Sequence, residues 1–355
     1  MAGASIAVSE QMRSAEADPR VALIVSRTIA VDMHNYVQIP YVRIPAHAKP
    51  DPALDLAGEM KRSGFSAIIE TYAADDLWPT EPDEHYKYHL QALAFEDRFL
   101  ARNHMQRALN MKDLRTAHNQ AQPIIIQSAE GAQFIGGRLQ RLEEAYMRGL
   151  RTLQPVHELD DAVSPLGDIY TAAGHLGGLT PFGAQVIKEC NRLGIVVDLM
   201  HGTYEMMKAA LKVATQPLIY SHTALKPEPG VRKISADLGG GLPSKELARA
   251  VADAGLVIGI WWRLANSAKE YVAEIEDMVD AVGIDHVGIG TDTDITLPDG
   301  ASPLPYTNGS GRTRTADFSM RSPRDAETGL HADEIGKIGG GNFCRVFAKV
   351  TEGRS

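Results

Sequence analysis

The stretch that decides the fold runs from residue 195 to residue 222 and reads IVVDLMHGTYEMMKAALKVATQPLIYSH. Two short apolar runs flank an amphipathic segment, and this order predicts two buried parallel strands joined by a helix. Each predicted strand ends in a histidine, His201 and His222. For one such histidine, a ring that hydrogen-bonds to the backbone is the simpler interpretation. Two at matching positions of consecutive strands favour a metal site, because parallel strands end at the same edge of a sheet.

The same alternation of strand and helix continues on both sides of this stretch. Six further strands are predicted at residues 28–34, 65–73, 122–131, 150–157, 256–262 and 286–294. Eight strands that alternate with helices predict an α/β protein with a (β/α)8 TIM barrel. The expected organisation is a lead-in segment over residues 1–27 and a single barrel domain over residues 28–350.

Polar residues of the kind that bind metals recur at the ends of the predicted strands. They are His34, Glu130, His157, His201, His222 and Asp292. In a TIM barrel the carboxyl ends of the strands form the active face, so one shared site is expected at this rim. Imidazole and carboxylate ligands suit zinc and similar metals, which lower the pKa of a bound water and polarise a carbonyl oxygen. The pattern therefore predicts metal-assisted hydrolysis of an amide or a similar acyl bond.

Composition excludes several other classes of protein. The chain has 355 residues and a formal net charge of -9, and this acidic balance without a basic cluster argues against a nucleic-acid partner. No stretch approaches the ~20 apolar residues of a membrane span. The two cysteines lie far apart in predicted helices and indicate no disulfide framework. The N-terminus lacks the apolar region of a signal peptide, so the expected location is cytoplasmic, or periplasmic or secreted if a leader was removed.

Eight motifs resemble, in order, the membrane (renal) dipeptidases, which are zinc dipeptidases of the amidohydrolase superfamily. These motifs are VDMHN, SAEGA, GLRTLQPVHE, GGLTPFG, NRLGIVVDLMH, IYSHTA, VGIGTDTD and IGGGNFCRVF. The resemblance extends from about residue 28 to residue 350. It implies a (β/α)8 barrel, two zinc ions, a dipeptide-like small-molecule substrate and pairing as a homodimer.

The resemblance also assigns a role to individual residues. Four are implied as metal ligands, with His34 on the first ion, Glu130 bridging both ions, and His201 and His222 on the second. For catalysis and substrate binding it implies that His157 contacts the substrate and its oxyanion, that Asp292 is the acid/base and that Arg232 grips the substrate carboxylate. Lys233 competes with Arg232 for that last role, because the segment that follows resembles an insertion.

One position departs from the family pattern. The family has H-x-D in the first strand and its aspartate binds the first metal, whereas this sequence reads His34-Asn35-Tyr36. Tyrosine is neutral near pH 7 and a weak zinc ligand, so Tyr36 is expected to face the substrate while the first metal position loses affinity. Asp32 lies on the same strand face and is interpreted as structural. Three hypotheses follow: a hydrolase with one or two zinc ions, of which the ion at His201, His222 and Glu130 is held tightly while the first position is weak or empty; a same-scaffold enzyme with an altered substrate or reaction; and a non-catalytic binding or scaffold relative.

Overall fold

The computed structural model of the protein describes residues 19–36, 55–73, 83–158, 165–227, 241–265, 267–294 and 330–353. The described strands are β1 (Val31–Tyr36), β2 (Ala67–Thr71), β3 (Ile124–Glu130), β4 (Leu150–Gln154), β5 (Val196–Val197), β6 (Ile219–Thr223), β7 (Val257–Ile260), β8 (Val287–Ile289) and β9 (Thr293–Asp294). The described α-helices are α1 (Pro19–Arg27), α2 (Leu56–Ser63), α3 (Glu84–Arg102), α4 (Met111–Asn119), α5 (Gln140–Met147), α6 (Pro181–Leu193), α7 (Tyr204–Val213), α8 (Lys245–Asp253), α9 (Ala268–Val282), α10 (Ala332–Gly336) and α11 (Asn342–Val350). Within these residues, no helix is both long and apolar enough to cross a membrane.

The strands form a parallel sheet whose two ends meet. Their order is β5-β4-β3-β2-β1-β8-β7-β6, and the short β9 pairs in parallel with β1. A parallel bridge between Asp198 and Ile219 joins the β5 end of the sheet to β6, where the Leu199 amide donates to the Ile219 carbonyl at 2.9 Å. This closure confirms the predicted (β/α)8 barrel.

Two apolar layers hold the barrel together. Alternate residues of the strands, such as Val31, Ile69 and Ile126, form one buried cluster with Phe343 and Phe347 of α11. The opposite faces of the strands form a second cluster with the surrounding helices. Because side chains alternate along a strand, the first cluster fills the barrel interior and the second fills the layer outside it. The polar site therefore lies beyond the filled interior, at the carboxyl ends of the strands.

Local signals fix some helix boundaries, whereas tertiary contacts fix others. Helix α6 begins with Pro181 after the N-cap Thr180 and ends at Gly194 in a left-handed conformation, as the sequence predicts. No separate helix is predicted from the sequence at α1 or α4, because the short apolar patterns of these two segments differ little from those of a loop. The sequence also predicts a weakly helical segment at residues 5–18 and a helix at residues 316–320, and both lie outside the described residues.

His89 of α3 supports the turn that follows Glu130. Its ring stacks on Phe134, with centroids 4.0 Å apart and planes at 8°, and its Nδ1 is hydrogen-bonded to the Tyr72 hydroxyl. Phe134 belongs to a 3-10 turn at Gln133–Ile135. Burial, assisted by nearby arginines, lowers the pKa of His89 to about 3. The folded protein therefore holds this ring neutral under ordinary conditions.

Acidification is expected to destabilise the native protein more than a His89→Gln variant. The unfolded chain protonates His89 near its ordinary pKa of about 6.5 and the fold does not, so stability present at pH 7 is lost as the pH falls towards 3. Between pH 7 and pH 5 this residue alone is expected to remove about 2 kcal/mol from the free energy of unfolding. Urea denaturation at both pH values measures the difference, with the exposed His104→Gln as the matched control. Equal losses for the native and His89→Gln proteins would contradict the prediction.

Candidate active site

Six of the predicted site residues lie together at the carboxyl-terminal rim of the barrel, and all six are buried. His34 lies in β1, Glu130 ends β3 and His222 lies in β6, while His157, His201 and Asp292 lie in the turns after β4, β5 and β8. The closed sheet brings these residues together from six different strands. Arg232 and Lys233 lie outside the described residues, so their predicted contact with a substrate carboxylate stays a prediction.

Glu130 is the centre of the site. Its Oε1 lies 3.1 Å from Nε2 of His201, 3.6 Å from Nε2 of His34 and 3.7 Å from Nε2 of His157. Gln154, the last residue of β4, donates from Nε2 to the same oxygen at 2.7 Å. The other carboxylate oxygen, Oε2, accepts a hydrogen bond from the Tyr36 hydroxyl. The two oxygens of Glu130 therefore have different surroundings.

The surrounding charges decide which of these groups is ionised. Burial opposes ionisation of Glu130, but the neighbouring His157, His34 and His201 hold the pKa of this carboxyl well below its usual value. Burial and the nearby His34 and His201 hold the pKa of His222 well below its ordinary value, and burial also lowers the pKa of His201. Glu130 is therefore a carboxylate, and His201 and His222 are neutral imidazoles. These are the protonation states in which the side chains can bind a cation.

The donor atoms fall into two groups that fit a metal ion. His34, His222 and Asp292 form one group and Glu130, His157 and His201 form the other, and within each group the possible ligand atoms lie within 4.8 Å of one another. Nδ1 of His201 is buried and has no hydrogen-bond partner among the described residues, and the buried Nε2 atoms of His34 and His201 face acceptor oxygens of carboxylates. Buried polar atoms are normally satisfied, so these nitrogens indicate a ligand. Imidazole nitrogens and carboxylate oxygens are the donors that zinc prefers in catalytic sites.

Comparison with known proteins identifies the family. The family described as membrane dipeptidase (peptidase family M19) matches residues 20–355 of the chain. The chain belongs to the membrane dipeptidase family. The chain is 29% identical over 231 residues to an uncharacterized dipeptidase from Schizosaccharomyces pombe. That match covers 63% of this chain and 52% of the yeast protein, and the chain spans about half the length of the curated relatives it matches.

Solved structures of other proteins share the barrel of this membrane dipeptidase family member. An amidohydrolase from Pseudomonas aeruginosa superimposes with a TM-score of 0.72 at 20% identity, covering 93% of this chain and 98% of the other. A metallo peptidase from Rhodobacter sphaeroides, bound to a phosphinate mimic of the dipeptide L-Ala-D-Ala, superimposes with a TM-score of 0.66 at 20% identity. That comparison covers 91% of this chain and 99% of the other. At this level of identity the similarity establishes the fold.

Asp292 is held by Trp261 and Arg263, two contacts that were not predicted from the sequence. The indole Nε1 of Trp261 donates to Asp292 Oδ2 at 2.8 Å, and Nε of Arg263 lies 3.0 Å from the same oxygen. The other oxygen, Oδ1, faces Nε2 of His34 at 3.8 Å. Trp261 and Arg263 lie within three residues of the end of β7, at the carboxyl-terminal rim of the barrel. That position in the sequence could have indicated that they belong to the site. Together they orient Asp292 so that Oδ1 faces His34, one of the candidate metal ligands.

Two further aspartates fix the strand ends that carry the histidines. Asp32 accepts hydrogen bonds from the backbone amides of His34 and Thr291 at 3.2 and 2.9 Å, which ties β1 to the end of β8. Asp198 accepts from the amides of Met200 and Ser221 at 3.1 and 3.0 Å, which ties the end of β5 to β6. Burial raises the pKa of Asp198 to about 6. The two backbone contacts of Asp32 agree with its interpretation from the sequence as a structural residue.

The ring of His201 also contacts a tyrosine, Tyr170, that was not predicted from the sequence to lie at the site. The ring of Tyr170 stacks on His201, with centroids 5.3 Å apart and planes at 19°. The backbone amide of Tyr170 donates to the carbonyl of His201 at 3.0 Å. Because Tyr170 lies in a long connection between β4 and α6, nothing in its local sequence distinguishes it from other loop residues.

Proposed function

We propose that the protein is a zinc-dependent hydrolase that cleaves a dipeptide or a similar small amide. The observation that carries the proposal is the buried Glu130 carboxylate, which has three imidazole nitrogens within 3.7 Å of one oxygen. Membership of the membrane dipeptidase family supports amide hydrolysis. The relative from Rhodobacter sphaeroides, which holds a dipeptide mimic, supports a small substrate.

The metal would be held by His34, Glu130, His201 and His222. When bound, a divalent cation supplies Lewis acidity, which polarises a carbonyl oxygen and lowers the pKa of water. In the folded protein, burial and neighbouring groups keep His201 and His222 neutral and keep Glu130 anionic. Gln154 fixes one oxygen of Glu130 through its hydrogen bond at 2.7 Å. A hydrogen bond of this kind from a neighbouring side chain keeps a metal ligand in one orientation.

Two residues are proposed to act on the substrate directly. His157 lies beside the ligands, with Nε2 3.7 Å from Glu130 Oε1, and is proposed to donate a hydrogen bond to the oxyanion that forms at the attacked carbonyl. Asp292 is proposed to take a proton from the attacking water and to pass it to the amine nitrogen as the C–N bond breaks. Trp261 and Arg263 hold Asp292 in place for both transfers.

Metal removal is expected to abolish dipeptide hydrolysis, and zinc is expected to restore it. The protein is purified without chelator, its metal content is determined by elemental analysis, and L-L and L-D dipeptides are assayed before and after treatment with a chelator. We expect activity to fall by at least about 100-fold on chelation, because the metal provides both water activation and carbonyl polarisation. Magnesium serves as the control cation, since it prefers oxygen ligands. Full hydrolysis by metal-free protein would contradict the proposal.

An altered substrate range is the second candidate, and the hydrogen bond between Tyr36 and Glu130 favours it. Tyr36 changes the shape and charge of the site at the point where family members carry an aspartate. A panel that adds β-lactams and lactones to the dipeptides distinguishes the two candidates. The non-catalytic hypothesis is not favoured, since ligands, His157 and Asp292 are all present together. The homodimer and the cellular compartment stay predictions.

A further inference from the structure

We propose that Tyr36 restricts this site to one metal ion by occupying the second oxygen of Glu130. The inference rests on the proposed function only in that the site binds zinc. Tyr36 and His34 are two residues apart on β1, so both side chains point to the same face of the strand. Their rings meet edge-on, with centroids 5.2 Å apart, and Tyr36 is buried.

Both oxygens of Glu130 accept a hydrogen bond, Oε1 from Gln154 and Oε2 from Tyr36, but only Oε1 also faces imidazole nitrogens. A carboxylate that joins two metal ions in the usual way presents one oxygen to each ion. Here the three histidine nitrogens surround Oε1, while the Tyr36 hydroxyl donates its proton to Oε2. A second cation on Oε2 would have to displace the Tyr36 hydroxyl, whereas Oε1 already faces imidazole nitrogens that can share a cation with it. The metal position that Glu130 joins is therefore built on Oε1 and the imidazoles around it, and the group of His34, His222 and Asp292 is left without an oxygen of Glu130.

The charge of the site agrees with one dication. The two candidate ligand groups contain two carboxylates, Glu130 and Asp292. The guanidinium of Arg263 lies 3.0 Å from Asp292 Oδ2 and already neutralises part of that negative charge. A phenol in the position of Tyr36 is neutral near pH 7 and adds no charge. Two dications would add four positive charges to these groups and one dication adds two, so a single ion leaves the smaller uncompensated charge in a buried site.

The experiment counts zinc ions in the native protein and in Tyr36→Asp and Tyr36→Asn variants. Each protein is stripped with a chelator, dialysed against the same low concentration of zinc and analysed for zinc per chain, with calorimetric titration as a second measurement. We expect one ion in the native protein, two in Tyr36→Asp and one in Tyr36→Asn. Aspartate adds a negative ligand and has no donor for Oε2, whereas asparagine, of equal size to aspartate, adds no charge and keeps an N–H donor.

The native protein alone decides the inference if Tyr36→Asp fails to fold. One zinc ion per native chain supports it, and two ions of similar affinity overturn it. A folded Tyr36→Asp variant that still binds one ion also overturns it, since removing the tyrosine would then not open a second position. Failure of the proposed function has a different signature. A native protein that binds one zinc but cleaves no amide refutes the hydrolase and supports the single-ion site, whereas one that binds no zinc refutes both.

Discussion

Replacing Glu130 by glutamine is expected to lower the zinc affinity by about 10²- to 10³-fold and to reduce kcat/KM by at least about 10³-fold. The amide of glutamine has nearly the same size but no negative charge, and one of its two ends is a hydrogen-bond donor. Oε1 of Glu130 faces three imidazole nitrogens within 3.7 Å, so the substitution removes the charge at the centre of the ligand set. Removing one partner from a buried charged contact costs about 3–5 kcal/mol, which sets the size of the effect.

The control for this substitution is Glu96→Gln, which makes the same chemical change at another buried position. Glu96 lies on α3 in the layer outside the barrel, where its Oε1 is 3.5 Å from a guanidinium nitrogen of Arg107. We expect Glu96→Gln to keep the native zinc content and kcat/KM. Native zinc content in Glu130→Gln, measured at the same free zinc concentration, would refute the central position of Glu130.

Replacing Gly290 by alanine is expected to lower the free energy of unfolding by at least about 3 kcal/mol. A Cβ atom at Gly290 would lie 1.7 Å from the backbone carbonyl oxygen of Ser221 and 2.9 Å from its carbon. Backbone atoms of a central strand cannot move aside in the way that a flexible side chain can. Ser221 precedes His222 and Gly290 lies two residues before Asp292, so the same clash displaces two site residues.

Gly288→Ala is the matched control, because it adds the same methyl group to β8. Its Cβ would meet the Sδ of Met33 at 2.5 Å, and methionine can change rotamer to make room. We expect Gly288→Ala to cost about 1 kcal/mol and to retain zinc binding. Thermal and urea denaturation of both variants provide the comparison. Equal stability of the two variants would show that the Ser221 carbonyl can move away at low cost.

The sequence predicts the barrel well because its strands and helices carry independent local signals. The stretch from residue 195 to residue 222 contains an amphipathic helix, confirmed as α7, between two apolar runs. Strand β5 is shorter than predicted, because regular pairing with its neighbour covers only Val196–Val197 and Asp198 continues the contact through a single bridge to Ile219. Strand length depends on the neighbouring strand, so no pattern within residues 195–201 could have shown where the pairing ends.

Backbone conformation at the site also depends on the tertiary structure. His201 and Asp292 have φ angles of 66° and 53°, in the left-handed region that residues other than glycine rarely adopt. The amide of Asp292 donates to the carbonyl of His34 at 3.0 Å, and the carbonyl of His201 accepts from Tyr170 at 3.0 Å. These contacts come from other parts of the chain and hold both residues in an unfavourable conformation. The local sequence favours neither conformation.

By itself the sequence determined the order of strands and helices, the closed parallel barrel and the residue types at its carboxyl-terminal rim. These features follow from the period of apolar residues and from the rule that parallel strands end at one edge. Only the tertiary structure decided which oxygen of Glu130 faces the histidines and which accepts the Tyr36 hydroxyl. It also decided that Trp261 and Arg263 hold Asp292. The physical reason is that such contacts join residues far apart in the chain, whose distances and directions are set only when the barrel closes.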